Sequence, residues 1–323
     1  MAQEKYLRQR ARIFAVIILV FVDGLGLGEK DPRKNPCTTH GIKHLSRFIE
    51  EEELNDSDHY GILVPTEATL GIPGLPQSAT GQASLFSGIN CSQSLGRHLQ
   101  GFPNQTLRDI LKEHSILKKT KEKGFRSVFI NAYRSVFFSL PENIKWKLSV
   151  TTIVTLSADL PFFGPKDIVQ ERSIYHDMTN EGLIQRGFDV PLFSVEKAAS
   201  VLTEASKKYD FILYEYFLTD RAGHSQQMDR ASSEIFKIDR FVDTLLSSID
   251  LGKHTVILTS DHGNIEDLSV KTHTRNPVMT ILWGRGRNEL KNRIHSLTDV
   301  TPSILWALET THSNPFSQTD PIV

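Results

Sequence analysis

Ile13-Phe-Ala-Val-Ile-Ile-Leu-Val-Phe-Val22 runs straight into Asp23-Gly24-Leu25-Gly26, and the fold turns on how this stretch is read. Ten consecutive apolar residues, rich in β-branched side chains, suit a strand covered on both faces, where polar–apolar alternation is lost. The preceding MAQEKYLRQRAR is basic, so together the two segments mimic the first parts of a secretory signal. The run is too short to span a bilayer, and it ends on a carboxylate among glycines, not on a small-residue cleavage site. A buried strand is expected, in a soluble cytoplasmic protein that does not engage a membrane.

Comparable runs recur further along. Phe211-Ile-Leu-Tyr-Glu-Tyr-Phe-Leu218 leads to Asp220, and Thr255-Val-Ile-Leu-Thr259 stops just short of Asp261. Ser127-Val-Phe-Ile130 and Val278-Met-Thr-Ile-Leu-Trp283 are shorter versions. Helical patterns lie between them. Across 229–249 the apolar positions Ile235, Ile238, Phe241, Val242, Leu245, Leu246 and Ile249 step by three and four, one buried face. Residues 195–208 predict another helix, and Pro302 suits an early turn of a last one. Strands alternating with helices predict an α/β fold with a mostly parallel sheet. The stretch 96–194 breaks the rhythm with a basic segment, 112–123, and with Pro141, Pro161, Gly164 and Pro165. The expected organisation is a discontinuous core, 1–95 and 195–323, with 96–194 as a smaller inserted cap that meets substrate.

Composition narrows the function. Lys+Arg number 37 against 38 Asp+Glu, a net charge of -1, which removes any global electrostatic case for nucleic acid or an anionic membrane. With 39% hydrophobic and 23% charged residues, disordered and fibrous classes are excluded. Two cysteines, Cys37 and Cys91, make no disulfide framework and fit a reducing compartment.

Asp23, Asp220 and Asp261 each follow an apolar strand-like run, and open α/β sheets gather ligands at the carboxyl ends of strands. Asp220-Arg-Ala-Gly-His224 sets an imidazole four residues after a carboxylate; Asp261-His262 is adjacent, and His273 lies eleven residues beyond His262. Three histidines and three aspartates form a mixed N/O donor set suited to Zn²⁺ or Mn²⁺. The other nine histidines, such as His40, His98, His254 and His312, read as ordinary surface or core residues. In Gly74-Leu-Pro-Gln-Ser78-Ala-Thr-Gly81, turn residues precede a short apolar helix, so Ser78 falls at a helix N-terminus. There it serves as a plain N-cap, or, beside metal, as a nucleophile favoured by the macrodipole and free N–H groups. Thr80 is the nearest rival hydroxyl.

In chain order, Asp23-Gly, Ser78-x-x-Gly81, Asp220-x-x-x-His224, Asp261-His262-Gly-Asn264 and His273-Thr resemble the alkaline phosphatase superfamily. The likeness is strongest to its cofactor-independent phosphoglycerate mutase and phosphopentomutase branch. Ser260-Asp261-His262-Gly263-Asn264-Ile-Glu266, followed by His273-Thr-Arg-Asn276-Pro277-Val278, looks like the mutase signature, and the gap to His273 is more like phosphopentomutase. The resemblance covers 1–95 and 195–323. It implies an alkaline-phosphatase-like sheet flanked by helices, two divalent ions (Mn²⁺ or Zn²⁺) and a small phosphorylated substrate. It also implies that Asp23, Ser78, Asp261 and His262 hold one ion, that Asp220, His224 and His273 hold the other, and that Ser78 forms a phosphoserine.

The sequence departs from the family in three places. Gln82 stands where the family often has His. No Arg-Asp-Arg-rich substrate segment appears in 96–194, leaving Arg97, Arg108, Arg126, Arg134 and Arg172 as possible phosphate grips. Cys91 is followed by Ser-Gln-Ser-Leu and lacks the Cys-x-Pro-x-Arg of sulfatases, which leaves a sulfatase-like hydrolase a minor alternative. Phosphatase, phosphodiesterase and phosphomutase differ in what accepts the phosphoryl group. An inactive metal-binding relative, serving as sensor or scaffold, is the alternative from another class.

Overall fold

The computed structural model describes residues 16–49 and 61–312, so the basic leader and Ile13, Phe14 and Ala15 lie outside the described residues. Six strands form one sheet: β1 (Ile17–Val22), β2 (Ile62–Thr66), β3 (Ser127–Phe129), β4 (Phe211–Tyr216), β5 (Thr255–Thr259) and β6 (Val278–Gly284), in the order β2-β6-β5-β1-β4-β3. β1 is central and parallel to β4 and β5 on its two sides, and β3 is parallel to β4. All six β1 side chains are buried. Ile18, Val20 and Val22 enter the core on one face, and Ile17, Leu19 and Phe21 enter the core on the other. Each contributes roughly 1.5–3 kcal/mol of apolar burial, which is why the run shows no alternation.

The helices that frame the site are α1 (Ser78–Ser87), α2 (Gln105–His114), α3 (Ile116–Glu122), α4 (Val150–Ser157), α5 (Val195–Ser206), α6 (Leu218–Ser225), α7 (Met228–Ser248) and α8 (Leu297–His312). α5 and α7 pack together on one side of the sheet. α1 lies on the other, against α8, α2 and α4, and is buried all round from Ala79 to Ser87. Its hydroxyls at Thr80, Ser84 and Ser87 donate to the carbonyls of Gln77, Thr80 and Ala83, which satisfies them in the interior.

Several expectations change in three dimensions. β6 runs antiparallel to β5, and β2, a short run not among the strands expected from sequence, runs antiparallel to β6. β2 carries Pro65 and is only partly buried, as an edge strand allows. Ile249 lies past the end of α7 in extended backbone, while Pro302 does sit in an early turn, the second, of α8. The segment 96–194 is not separate from the core along its length. β3 extends the sheet, and Leu107, Leu111, Ile116, Leu117, Val150 and Ile153 join the core cluster under it. The basic residues of 112–123 form the outer faces of α2 and α3, whose apolar residues point inward. Among the described residues, no helix is long and apolar enough to cross a membrane.

Candidate metal centre

The carboxyl ends of β1, β4 and β5 meet at one edge of the sheet, on both sides of the central strand, where an open α/β sheet leaves a crevice. Asp23 directly follows β1, and its N–H donates to the Tyr216 carbonyl at 2.9 Å. Gly24 adopts φ +72, and a Cβ there would stand 3.0 Å from the Asp220 side chain. β4 stops at Tyr216, so Asp220 does not follow the strand directly but lies in the first turn of α6, with His224 one turn on. The four-residue spacing therefore puts both on one helical face. Asp261 and His262 follow β5. β6, being antiparallel, begins at this edge, so the loop before it brings in His273.

The seven residues singled out in the sequence converge. Donor atoms of Asp220, His224 and His273 lie within 4.8 Å of one another, and so do those of Asp23, Asp220 and His262. His262 Nε2 is 2.9 Å from Ser78 Oγ, 3.3 Å from Asp23 Oδ1 and 3.5 Å from Asp261 Oδ2. The His262 and His273 rings stack at 3.8 Å. Asp220 touches both groups, which makes it the hinge between them.

The donor chemistry fits divalent cations. His273 Nδ1 sits 2.8 Å from the Pro76 carbonyl and His224 Nδ1 2.9 Å from the Lys271 carbonyl. A carbonyl accepts only, so each neutral ring carries its proton on Nδ1 and leaves Nε2 as a bare lone pair. Those two Nε2 atoms face each other at 3.3 Å, and each is 3.5 Å from an Asp220 oxygen. Converging lone pairs repel unless a cation lies among them, and a ring N–H given to a carbonyl is the usual setting of a metal-binding imidazole. Asp23 Oδ1 is buried with no hydrogen-bond partner. Burial, reinforced by Asp261, Asp220 and Glu215, pushes the Asp23 carboxyl well above the usual carboxylate range. Burial acts to raise Asp220 too, but whenever the surrounding rings carry charge, a bond from protonated His273, together with His262, Asn264 and His224, holds it at about 2.

Ser78 is the first residue of α1 and does not cap it; Gln77 occupies the cap position. The N–H groups expected to be free are partly used, because Ala79 and Thr80 both donate to the Leu99 carbonyl. Thr80 is fully buried, with its hydroxyl donating to Gln77 and accepting from Leu99 N. Gly81 explains the hydroxyl-x-x-Gly spacing: a Cβ there would lie 2.6 Å from the Asp261 carbonyl oxygen. Only glycine lets α1 come close enough to set Ser78 against His262. Gly81→Ala is expected to push α1 off the Asp261 loop and lower the melting temperature, with unchanged far-UV circular dichroism. Gln82 bridges the site's carboxylates, donating to Asp261 at 3.1 Å and Asp23 at 3.4 Å.

A cleft of about 300 Å³ opens nearby, with Tyr133, Arg134, His176, Arg186, Glu215 and Phe217 in its walls. Of the five arginines considered from sequence, only Arg134 reaches it. Arg126 and Arg172 pair with Asp210 and Asp167, Arg108 bonds Pro103 and Gln105, and Arg97 is exposed elsewhere. The His176 ring lies between Tyr175 and Phe217, and burial, with Arg221, Arg186 and Arg134, pushes its pKa down to about 3. Glu215 lies buried in the wall, its carboxylate accepting from Thr151 at 2.8 Å and its backbone bracketed by the Asn131 amide. Sequence reading passed over Glu215, although a carboxylate inside the apolar run Phe211–Tyr216 is the signal that could have found it.

The sheet and its flanking helices form an alkaline-phosphatase-like fold, and residues 190–312 match the family model described as Metalloenzyme superfamily. Among particular relatives, the 2,3-bisphosphoglycerate-independent phosphoglycerate mutase of Ehrlichia canis (strain Jake) is 34% identical over 128 residues, 36% of this chain and 25% of that protein. The enzyme of the same name from Gloeothece citriformis (strain PCC 7424) is 31% identical over 140 residues, 38% of this chain and 26% of that protein. The matched segment thus spans about a quarter of those relatives' length. Among solved structures, the PH0037 protein from Pyrococcus horikoshii aligns with a TM-score of 0.56 and 16% identity, covering 94% of this chain and 99% of its own. Alkaline phosphatase from the Antarctic bacterium TAB5 gives 0.53 and 14%, covering 92% and 98%. At these identities the likeness is one of fold.

Proposed function

We propose that the chain transfers phosphoryl groups from small phosphate esters through Ser78, with two divalent ions, Mn²⁺ or Zn²⁺. Asp23, Ser78, Asp261 and His262 would hold one, and Asp220, His224 and His273 the other. The observation that carries this reading is the 2.9 Å approach of Ser78 Oγ to His262 Nε2 inside a ring of buried carboxylates and imidazoles. Bound there, the ions supply electrostatic stabilisation of the charge that develops during transfer. Ser78 Oγ forms the new bond to phosphorus as the ester P–O bond breaks, its hydroxyl proton passing by way of solvent to the leaving ester oxygen, and the α1 dipole favours negative charge at the attacking position. The phosphoserine then gives its phosphoryl group to water or to a second hydroxyl, which restores Ser78.

The cleft receives the rest of the substrate. Arg134 and Arg186 favour an anionic remainder, and Tyr133 and Phe217 supply apolar wall. This narrows the proposed cap: the part of 96–194 with a substrate-facing role is the 131–186 stretch lining the cleft. Phosphate release and ester isomerisation should be followed for 4-nitrophenyl phosphate, glycerol 3-phosphate, 3-phosphoglycerate and ribose 5-phosphate, with Mn²⁺, with Zn²⁺ and with chelator. Metal-dependent turnover is expected, with lower KM where the remainder is charged. Neither release nor isomerisation from any ester with either metal would sink the reading.

A further inference from the structure

Glu266 has no role in the chemistry above, yet it is 1% exposed and stands where three ligand-bearing loops meet. Its Oε2 accepts from Gly26 N at 3.0 Å and from Asn264 N at 2.7 Å. Its Oε1 accepts from Thr274 Oγ1 at 2.5 Å and from Asn276 Nδ2 at 3.1 Å. Gly26 belongs to the loop of Asp23, Asn264 to the loop of Asp261 and His262, and Thr274 and Asn276 to the loop of His273. Gly26 lies 240 residues from Glu266 in the chain, so this carboxylate ties the first loop to the other two.

We infer that Glu266 is a positioning residue that fixes the mutual placement of the three loops and so the spacing of the metal-binding side chains. The inference rests on the metal-dependent reading of the site. All four donors are neutral, so each bond gains from the carboxylate charge, and the set uses both oxygens. The neighbouring glycines agree with this role: a Cβ at Gly26 or at Gly263 would overlap the Glu266 carboxylate. Neither loop can close on it with a larger residue. The network reaches the remaining ligand helix as well, because the Asn264 side chain donates to Asp220 Oδ1 at 2.6 Å and to the Asp220 carbonyl at 3.1 Å. Thr274 is also tied to the His262 loop directly, its N–H donating to the Gly263 carbonyl at 3.0 Å. Each of the four ligand-bearing segments that follow or precede β1, β4, β5 and β6 is therefore within one or two hydrogen bonds of this carboxylate.

The test compares wild type with Glu266→Gln, in which an NH₂ replaces one acceptor oxygen at nearly constant volume and confronts two N–H or O–H donors. Co²⁺ affinity is measured by chelator competition, the visible spectrum of the Co²⁺-loaded protein is recorded, and the melting temperature is taken with chelator present. A 10–100-fold weaker Co²⁺ affinity with an altered spectrum is expected, the scale typical of losing a partner behind a metal ligand. If Glu266→Gln does not fold, Thr274→Val removes a single donor from Oε1 and is expected to weaken Co²⁺ binding several-fold. Wild-type affinity and spectrum in a folded variant, with only the metal-free melting temperature lowered, would overturn the inference. Wild-type protein that takes up Co²⁺ yet transfers no phosphoryl group would instead count against the proposed function alone. Wild-type protein that takes up no Co²⁺ would overturn both.

Discussion

Ser78→Ala is expected to lower metal-dependent phosphoryl transfer by about 10⁴-fold or more, the scale of deleting a nucleophile that forms a covalent intermediate. Ser78 begins α1 without capping it, so the change removes no capping bond, and the fold should survive. Thr80→Ala supplies the contrast. Its hydroxyl is buried and doubly engaged with Gln77 and Leu99, so the substitution should cost about 1 kcal/mol of stability and change turnover only a few-fold. Incubation with a labelled phosphate ester, followed by quenching in acid and peptide mapping, should find the label on Ser78 in wild type and nowhere in the variant. Turnover by Ser78→Ala within tenfold of wild type would remove Ser78 as the nucleophile. Metal uptake with no phosphoenzyme and no turnover, in wild type and variant alike, would favour the sensor or scaffold reading.

Removing the ions should destabilise the protein strongly and in a pH-dependent way. Asp23, Asp220 and Asp261 lie together, and their ionic partners among the described residues are the site's histidines. An ion bound only by the native state stabilises it by about 4 kcal/mol at a thousandfold excess over its Kd. Without ions, burial first, eased by the Thr151 bond and increased by Asp261, raises Glu215 from 4.5 to about 7; Asp23 is raised as well. A carboxyl with a raised pKa in the native state binds more protons folded than unfolded. Stability of the metal-free protein should therefore be highest below pH 4.5 for these groups and fall as pH rises through 7. For Glu215 alone the loss is on the order of 3 kcal/mol. Ion binding follows the opposite course, since protons compete for the imidazoles and carboxylates. The difference in melting temperature between metal-loaded and chelated protein should thus widen from pH 5 to pH 8. A constant difference over that range, in protein shown to hold metal, would contradict the assigned donor set.

The residues of the site were legible because chemistry of this kind uses types that are conspicuous in their setting. Asp23 and Asp261 stand out because each follows closely on the end of an apolar run. Asp220 and His224 stand out by their spacing, though the helix that uses that spacing begins earlier than the apolar run suggests. The seven side chains predicted from sequence do gather at one sheet edge. Glu215 hides inside a strand pattern, whereas Glu266 is visible as part of the signature run but works through bonds to backbone and neutral side chains that no local pattern reveals.

The parallel centre of the sheet follows from local composition, since β1, β4 and β5 are dominated by apolar and β-branched residues and must be covered on both faces. Strand direction at the other edge does not, because β6 is as apolar as the parallel strands and only its pairing with β2 and β5 shows it to be antiparallel. That direction carries His273 to the site from in front of a strand. Likewise 96–194 reads as an insertion because its turns and basic residues mask short amphipathic helices, while the apolar faces of α2, α3 and α4 complete the core. Residue type and local spacing report what a segment must bury or bind. Which distant segment supplies the cover, and from which direction it arrives, is decided only when the chain closes on itself.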